Sequence, residues 1–202
     1  MLDLVTNFSG GGRTILNLLD VIEAGGLDAR IVLALTNREC KGIERLEKRG
    51  VAVERVLWPK GTTPEEYASR MWPRVEDTGA DLVLNCGFLR LLLVPPAWEG
   101  RIMNIHPALL PKYGGKGMYG DHVHRAVLEA GDTESGCTVH FVTSEYDTGP
   151  IILQRRVLVR PDDTVDSLAA RVFAEECVAY PEAVRLFAEG RLAIEDGKVM
   201  IR

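Results

Sequence analysis

The chain has 202 residues, 46% of them hydrophobic and 26% charged, which is the composition of a folded globular protein that can bury a core without disulfides or metals. Its formal net charge of −5 argues against a nucleic-acid partner bound through phosphate neutralisation. No apolar run approaches the ~18–20 residues of a membrane span, and residues 1–4 lack the basic start and long apolar stretch of a signal peptide.

Four cysteines stand apart from one another, with no Cys-x-x-Cys pair: Cys40, Cys86, Cys137 and Cys177. Isolated cysteines in apolar or helical surroundings are typical of small buried thiols, so we expect no disulfide framework. We therefore expect a reduced, cytoplasmic protein without a membrane or nucleic-acid partner, and we expect it to be an enzyme.

The first half of the chain alternates strand-like and helix-like segments. A glycine-rich turn separates the first strand from a helix with apolar residues at three- and four-residue spacing. Thr63-Pro64-Glu65-Glu66 predicts another helix start, because Thr63 can cap the helix and Glu66 completes a capping box. The predicted strands are 2–5, 29–35, 51–56, 81–86 and 101–105. The first predicted helix has its apolar residues over 15–22 and ends at 25–26, the second carries Ile43 and Leu46 and ends at Gly50, and the third covers 63–75.

The second half has a different pattern. Two apolar segments, 136–143 and 150–159, are joined by a short turn-rich segment and are predicted to form antiparallel strands. Thr164 begins a long helix that ends near Gly190, and a hairpin around Asp196-Gly197 follows it.

The alternation of strands and helices predicts the fold class, because such an order requires a mainly parallel sheet. We expect an α/β protein with a Rossmann-like, doubly wound, mainly parallel sheet and antiparallel strands in the C-terminal half. We expect a single domain over 1–202. Ligands of such sheets bind beyond the carboxyl ends of the strands, so the functional residues should lie in the loops that follow them.

A glycine loop, Ser9-Gly10-Gly11-Gly12, follows the first strand and precedes a helix. Such a loop either binds a phosphate on its backbone amides, with Arg13 adding a charged contact, or serves only as a tight turn between strand and helix. It is not a P-loop, because no Gly-Lys-Ser/Thr follows. It also fails the dinucleotide-binding pattern, because Ile15 stands where the last glycine is expected.

A second candidate is Asn104-Ile105-His106-Pro107, at the end of a predicted strand. Residues two apart on a strand share a face, so Asn104 and His106 are predicted to point the same way. A carboxamide beside an imidazole suits an oxyanion that forms at a carbonyl carbon, although such a pair also occurs in purely structural roles. Asp147 lies in a turn, where it either bonds its own backbone or reaches His106 and raises the pKa of the imidazole.

The remaining polar candidates carry weaker signals. His122 and His124 lack the spacing and companion ligands of a metal site, so no metal is expected. His140, inside a predicted strand, is interpreted as a satisfied strand histidine. Glu176 lies at the margin of the core-facing stripe of the long helix, where it either reaches solvent or binds a cationic group of a ligand.

Several of these motifs together carry a family resemblance. The stretch 104–113, with His140-Phe141-Val142 and Asp147-Thr148-Gly149-Pro150, closely resembles the phosphoribosylglycinamide formyltransferase family, and the similarity extends over nearly the whole chain. The resemblance implies transfer of the formyl group of 10-formyltetrahydrofolate to the amino group of glycinamide ribonucleotide in purine biosynthesis. It also implies the formyltransferase fold, with a phosphate-binding half at about 1–100 and a folate and catalytic half at about 101–202.

The resemblance further implies roles for single residues. Asn104, His106 and Asp147 match the catalytic residues of the family. Asp147 is expected to keep His106 protonated, so that Asn104 and His106 both donate hydrogen bonds to the oxyanion of a tetrahedral intermediate. The residues that match ribonucleotide contacts are Gly11, Gly12, Arg13, Thr14, Pro107 and Glu176. Those that match folate contacts are Phe88, Leu89, Arg90, Leu91, Leu92, Asn104, Val142 and Ser144.

The sequence departs from the family pattern at three places. Arg13-Thr14 replaces the usual serine or threonine followed by asparagine, Pro64 stands where some members carry an arginine, and the loop 114–120 is longer. The alternatives that stay open are hydrolysis of 10-formyltetrahydrofolate, formyl transfer to another amine such as an amino sugar, and a non-catalytic folate- or nucleotide-binding module. Partners are expected to be small-molecule substrates, and the protein is expected to be a monomer or a homodimer.

Overall fold

A computed structural model describes residues 1–202. The predicted strands and helices occur in the predicted order, and a helix over Asp121–Glu129 is added between them. The chain divides into two compact units, Met1–Asn104 and Ile105–Arg202. The elements that begin in the first unit are β1 (Leu2–Phe8), α1 (Arg13–Glu23), β2 (Ala29–Thr36), α2 (Gly42–Glu47), β3 (Val53–Arg55), α3 (Pro64–Asp77), β4 (Leu82–Asn85), a 3-10 turn (Pro96–Trp98) and β5 (Ile102–His106). Those of the second unit are α4 (Asp121–Glu129), β6 (Glu134–Phe141), β7 (Ile151–Leu158), α5 (Val165–Ala188), β8 (Leu192–Glu195) and β9 (Lys198–Ile201).

In the first unit, parallel strands pair in the order β3-β2-β1-β4-β5. The side chains of β4 are all buried, as expected of a parallel strand that is covered on both faces. The predicted capping box of α3 is confirmed. Glu66 N–H donates to Thr63 Oγ1 over 3.2 Å, and Thr63 N–H donates to Glu66 Oε2 over 2.9 Å.

In the second unit, β6 and β7 form the predicted antiparallel pair, from Glu134 opposite Leu158 to His140 opposite Ile151. The sheet as a whole has seven strands in the order β3-β2-β1-β4-β5-β6-β7. The α/β class, with a mostly parallel sheet and antiparallel strands in the C-terminal half, is therefore confirmed. No helix combines the length and the apolar character that spanning a bilayer demands. The single domain over 1–202 stays a prediction.

Candidate active site

The last strand of the parallel set, β5, carries both members of the Asn-x-His motif. β5 ends at His106, so Asn104 and His106 lie on one face of the strand at its carboxyl end, as the two-residue period requires. Asn104 is half-buried, whereas His106 is only 4% exposed. In a histidine so deeply buried, a ring nitrogen without a partner costs free energy.

Those partners come from two loops of the second unit. His106 Nε2 donates to the carbonyl of Tyr113 over 2.8 Å, and His106 Nδ1 lies 3.6 Å from Asp147 Oδ2. Tyr113 has φ 58° and Asp147 has φ 55°, in the left-handed region that side chains with a Cβ rarely adopt. Two residues with strained backbone conformations thus face the same imidazole. Backbone strain of this kind clusters at functional sites.

Gly114 allows the loop after Tyr113 to approach Asp147. A Cβ at Gly114 would lie 2.7 Å from Leu110 Cδ2 and 3.3 Å from Asp147 Cβ, so no larger residue fits without displacement. The next residue, Gly115, donates its N–H to Asp147 Oδ2 over 2.9 Å. The carboxylate is therefore held by backbone as well as by histidine.

A second histidine shares this carboxylate. His140 Nε2 lies 3.7 Å from Asp147 Oδ1, and His140 Nδ1 donates to the carbonyl of Phe141 over 2.8 Å. The sequence interpretation of His140 as a satisfied strand histidine missed this contact. The only signal in the sequence was its position near the end of a strand just before the turn that carries Asp147.

The ionisation of the cluster differs from the expectation of a protonated His106. Burial lowers the pKa of His106, and the charge of Asp147 and the Tyr113 carbonyl offset this only in part. Burial alone favours the neutral acid of Asp147, but the nearby His140 ring and the charge of His106 hold the pKa of this carboxyl below its usual value. At neutral pH the pair therefore consists of a neutral imidazole beside a carboxylate.

Two further side chains hold the segment that follows His106. Thr138 Oγ1 donates to the carbonyl of Ala108 over 2.6 Å and accepts from Leu110 N–H over 3.0 Å. Gln154 Nε2 donates both to Thr138 Oγ1 and to the carbonyl of Leu110, each over 2.9 Å. Sequence analysis singled out neither residue, because a threonine and a glutamine on facing strands carry no local signal.

In the first unit, the carbonyls of the glycine loop 9–12 all accept hydrogen bonds from the protein. Arg38 Nε donates to the carbonyl of Ser9 over 2.6 Å, and an Arg45 guanidinium nitrogen donates to the carbonyl of Gly11 over 3.1 Å. The other two carbonyls accept from Gly42 N–H and Leu16 N–H. These bonds fix the loop, and they place two arginine side chains at it that the sequence analysis did not identify.

The predicted phosphate-binding residues lie where this loop meets α1. Gly12, with φ 71°, stands directly before the first helical residue, Arg13, and no acidic residue occupies the first turn. Arg13 is exposed and Thr14 is half-buried. A helix start with this charge pattern favours an anion.

The predicted folate segment 88–92 follows β4 and is tied to the glycine loop. Leu89 N–H donates to Ser9 Oγ over 3.0 Å. The ring of Phe88 lies 5.7 Å from that of Tyr67, and the Arg90 guanidinium lies 5.5 Å above the ring of Trp58. Leu92 is buried, whereas Phe88 and two neighbours, Leu89 and Leu91, are half-buried.

The family model described as formyl transferase matches residues 4–184 of this chain. The chain belongs to this family. The sequence resemblance to formyltransferases is thereby confirmed.

Individual members of the formyl transferase family agree with this assignment. The chain is 40% identical over 205 residues to the chloroplastic phosphoribosylglycinamide formyltransferase of Arabidopsis thaliana, covering 96% of this chain and 68% of that protein. It is 34% identical over 200 residues to the phosphoribosylglycinamide formyltransferase of Escherichia coli (strain K12), covering 96% and 91%. The crystal structure of glycinamide ribonucleotide transformylase 1 from Symbiobacterium toebii superposes with a TM-score of 0.90 at 38% identity, covering 100% of this chain and 94% of that one.

The remaining predicted contacts of this formyl transferase lie in the second unit. Pro107, Val142 and Glu176 are half-buried, and Ser144 is exposed. Burial, together with the charge of Glu176, raises the pKa of the Cys137 thiol to about 12. The Glu176 carboxylate therefore lies near Cys137 on β6. No cluster of three or more His, Cys, Asp or Glu side chains is arranged to hold a metal ion. The substrate roles of these residues stay predictions.

Proposed function

We propose that this chain transfers the formyl group of 10-formyltetrahydrofolate to the amino group of glycinamide ribonucleotide. The similarity to relatives named as phosphoribosylglycinamide formyltransferases supports the acceptor and the transferred group. The observation that carries the chemistry is the pair of His106 and Asp147, 3.6 Å apart at the end of the strand that also holds Asn104.

Four cysteines that form no disulfide support a reducing compartment, the cytoplasm.

The reaction forms one C–N bond and breaks another. The amine of the ribonucleotide attacks the formyl carbon, and the carbonyl oxygen becomes an oxyanion in a tetrahedral intermediate. The Asn104 carboxamide donates an N–H to this oxygen, and His106 stands beside it on the same face. Loss of one such donor typically lowers turnover by about 100- to 1,000-fold.

The attacking amine must lose a proton, and the leaving folate nitrogen must gain one. The neutral His106 and the ionised Asp147 together accept that proton. Both nitrogens of the His106 ring face oxygen atoms, of Tyr113 and Asp147, so a protonated ring has a hydrogen-bond acceptor on each side. The pair then returns the proton to the leaving nitrogen as the intermediate collapses.

The ribonucleotide phosphate binds at the glycine loop. Gly11, Gly12, Arg13 and Thr14 provide backbone amides at a helix start, and the Arg45 guanidinium adds positive charge where it bonds Gly11. The pterin of the folate binds along the segment 88–92.

A direct assay separates this function from its alternatives. Purified protein is incubated with 10-formyltetrahydrofolate, with and without glycinamide ribonucleotide, and tetrahydrofolate is measured. We expect product only when the amine is present. Product without the amine would indicate a hydrolase, product only with an amino sugar would indicate another acceptor, and binding without product would indicate a non-catalytic module; each of these results overturns the proposal.

A further inference from the structure

Three asparagines stand side by side at the carboxyl ends of three adjacent parallel strands. Asn7 on β1 is in register with Asn85 on β4, and Asn85 is in register with Asn104 on β5. Residues in register on neighbouring strands point to the same face and lie about 5 Å apart. The row therefore ends at the carboxamide that the proposed mechanism uses.

The first two members of the row are deeply buried and bonded to each other. Asn7 Nδ2 donates to Asn85 Oδ1 over 3.0 Å. Asn7 is 0% exposed and Asn85 is 5% exposed, whereas Asn104 is half-buried. Accessibility thus increases along the row towards Asn104.

Stability does not explain this pair. The strands around it are apolar, and the oxygen of Asn7 is buried with no hydrogen-bond partner, which costs free energy. Two apolar side chains of the same branched shape would avoid that cost. Apart from Thr6, the other side chains of β1 and β4 near the row include fully buried hydrophobic residues: Leu4, Val5, Leu82, Val83 and Leu84.

We propose that Asn85, itself held by Asn7, is a positioning residue that fixes the orientation of the Asn104 carboxamide. An asparagine amide can rotate to present either its oxygen or its NH₂ group, and only the NH₂ group stabilises an oxyanion. Because Asn85 stands in register beside Asn104, a carboxamide held there in fixed orientation selects one of the two rotamers. This inference rests on the proposed role of Asn104.

The main test replaces the buried pair together, as Asn7→Leu/Asn85→Leu, so that neither amide is left without a partner. We expect kcat to fall by about 10- to 100-fold, because a misplaced catalytic group costs rates of this order. We expect KM for the ribonucleotide to stay unchanged and the thermal midpoint of unfolding to stay at or above its wild-type value. A purely structural role would instead lower the thermal midpoint and leave kcat of the folded enzyme unchanged, which would overturn the inference.

A second variant and a control keep the test interpretable. Asn7→Leu alone removes only the donor that fixes Asn85, and it should lower kcat by a smaller factor, about 3- to 10-fold. Thr6→Val removes a buried hydroxyl without a hydrogen-bond partner on the opposite face of β1, and it should leave kcat unchanged.

Asn104→Ala separates this inference from the proposed function. Normal turnover in Asn104→Ala would refute the catalytic role of Asn104 itself. Lost turnover in Asn104→Ala, with normal turnover in Asn7→Leu/Asn85→Leu, would refute only the positioning role of the row.

Discussion

Replacement of Asp147 by asparagine tests whether this carboxylate sets the titration of His106. The two groups are 13% and 5% exposed and lie 3.6 Å apart, so solvent screens their interaction little. Unit charges at that distance attract by about 5 kcal/mol at an effective dielectric constant of ~20. Because the charge of Asp147 raises the pKa of His106 against the larger effect of burial, Asp147→Asn should lower this pKa further.

The measurement is an NMR pH titration of the imidazole protons, which is practical because the chain has only four histidines. The midpoint of His106 in Asp147→Asn should lie below that of the wild type, because the charge that raises this pKa is removed. The acid limb of kcat/KM should move in the same direction, because a neutral ring is needed to accept the proton. Turnover should fall by about 100- to 10,000-fold, the usual contribution of a positioned acid–base group.

The matched control is Asp121→Asn. Asp121 is exposed, and its charge raises the pKa of His124, so this variant removes the same charge and should leave the titration of His106 in place. An unchanged His106 midpoint in Asp147→Asn would refute the coupling on which the proposed proton transfer depends.

The side chains that hydrogen-bond to the two loops, Thr138 and Arg45, and the buried histidines give three further tests. Thr138→Val removes the hydroxyl that holds the chain after His106, so kcat should fall about 10-fold, whereas Thr138→Ser should keep near-normal turnover. Arg45→Ala should raise KM for the ribonucleotide about 3- to 10-fold with KM for the folate unchanged. Arg49→Ala makes the same charge change away from the glycine loop and should leave both KM values unchanged. Burial lowers the pKa of His106 and of His124, so below ~6.5 the unfolded chain binds more protons, and stability should fall by up to about 1.4 kcal/mol per pH unit for each ring. Denaturant unfolding at about pH 7 and about pH 5.5 measures this, and equal stability at the two values would contradict it.

Local patterns in the sequence were sufficient to predict most elements of the fold, although not α4. Apolar runs, helical spacing and the Thr63 capping box depend on neighbouring residues, and the structure confirms them. The relation of Asn104 to His106 could also be predicted, because the two-residue period of a strand fixes it.

Contacts between distant segments could not be predicted in this way. The bond from Asn7 to Asn85 joins residues 78 positions apart, and it depends on the register of β1 against β4. The approach of His140 and Asp147 likewise depends on how a turn folds back onto its own strand. Register is set by the packing of whole elements, so no short motif records it.

The residues that local rules failed to predict share a physical property. Asn7 and Asn85 are carboxamides buried among apolar strand residues, and Tyr113 and Asp147 hold backbone conformations that their side chains disfavour. Each costs stability, and sequences retain such costs mainly where function requires them. Asn7 and Asn85 lead by register to Asn104, and Tyr113 and Asp147 contact His106. Because Asn7 leaves a buried oxygen without a partner, Asn7→Leu/Asn85→Leu should be at least as stable as the wild type and yet turn over more slowly.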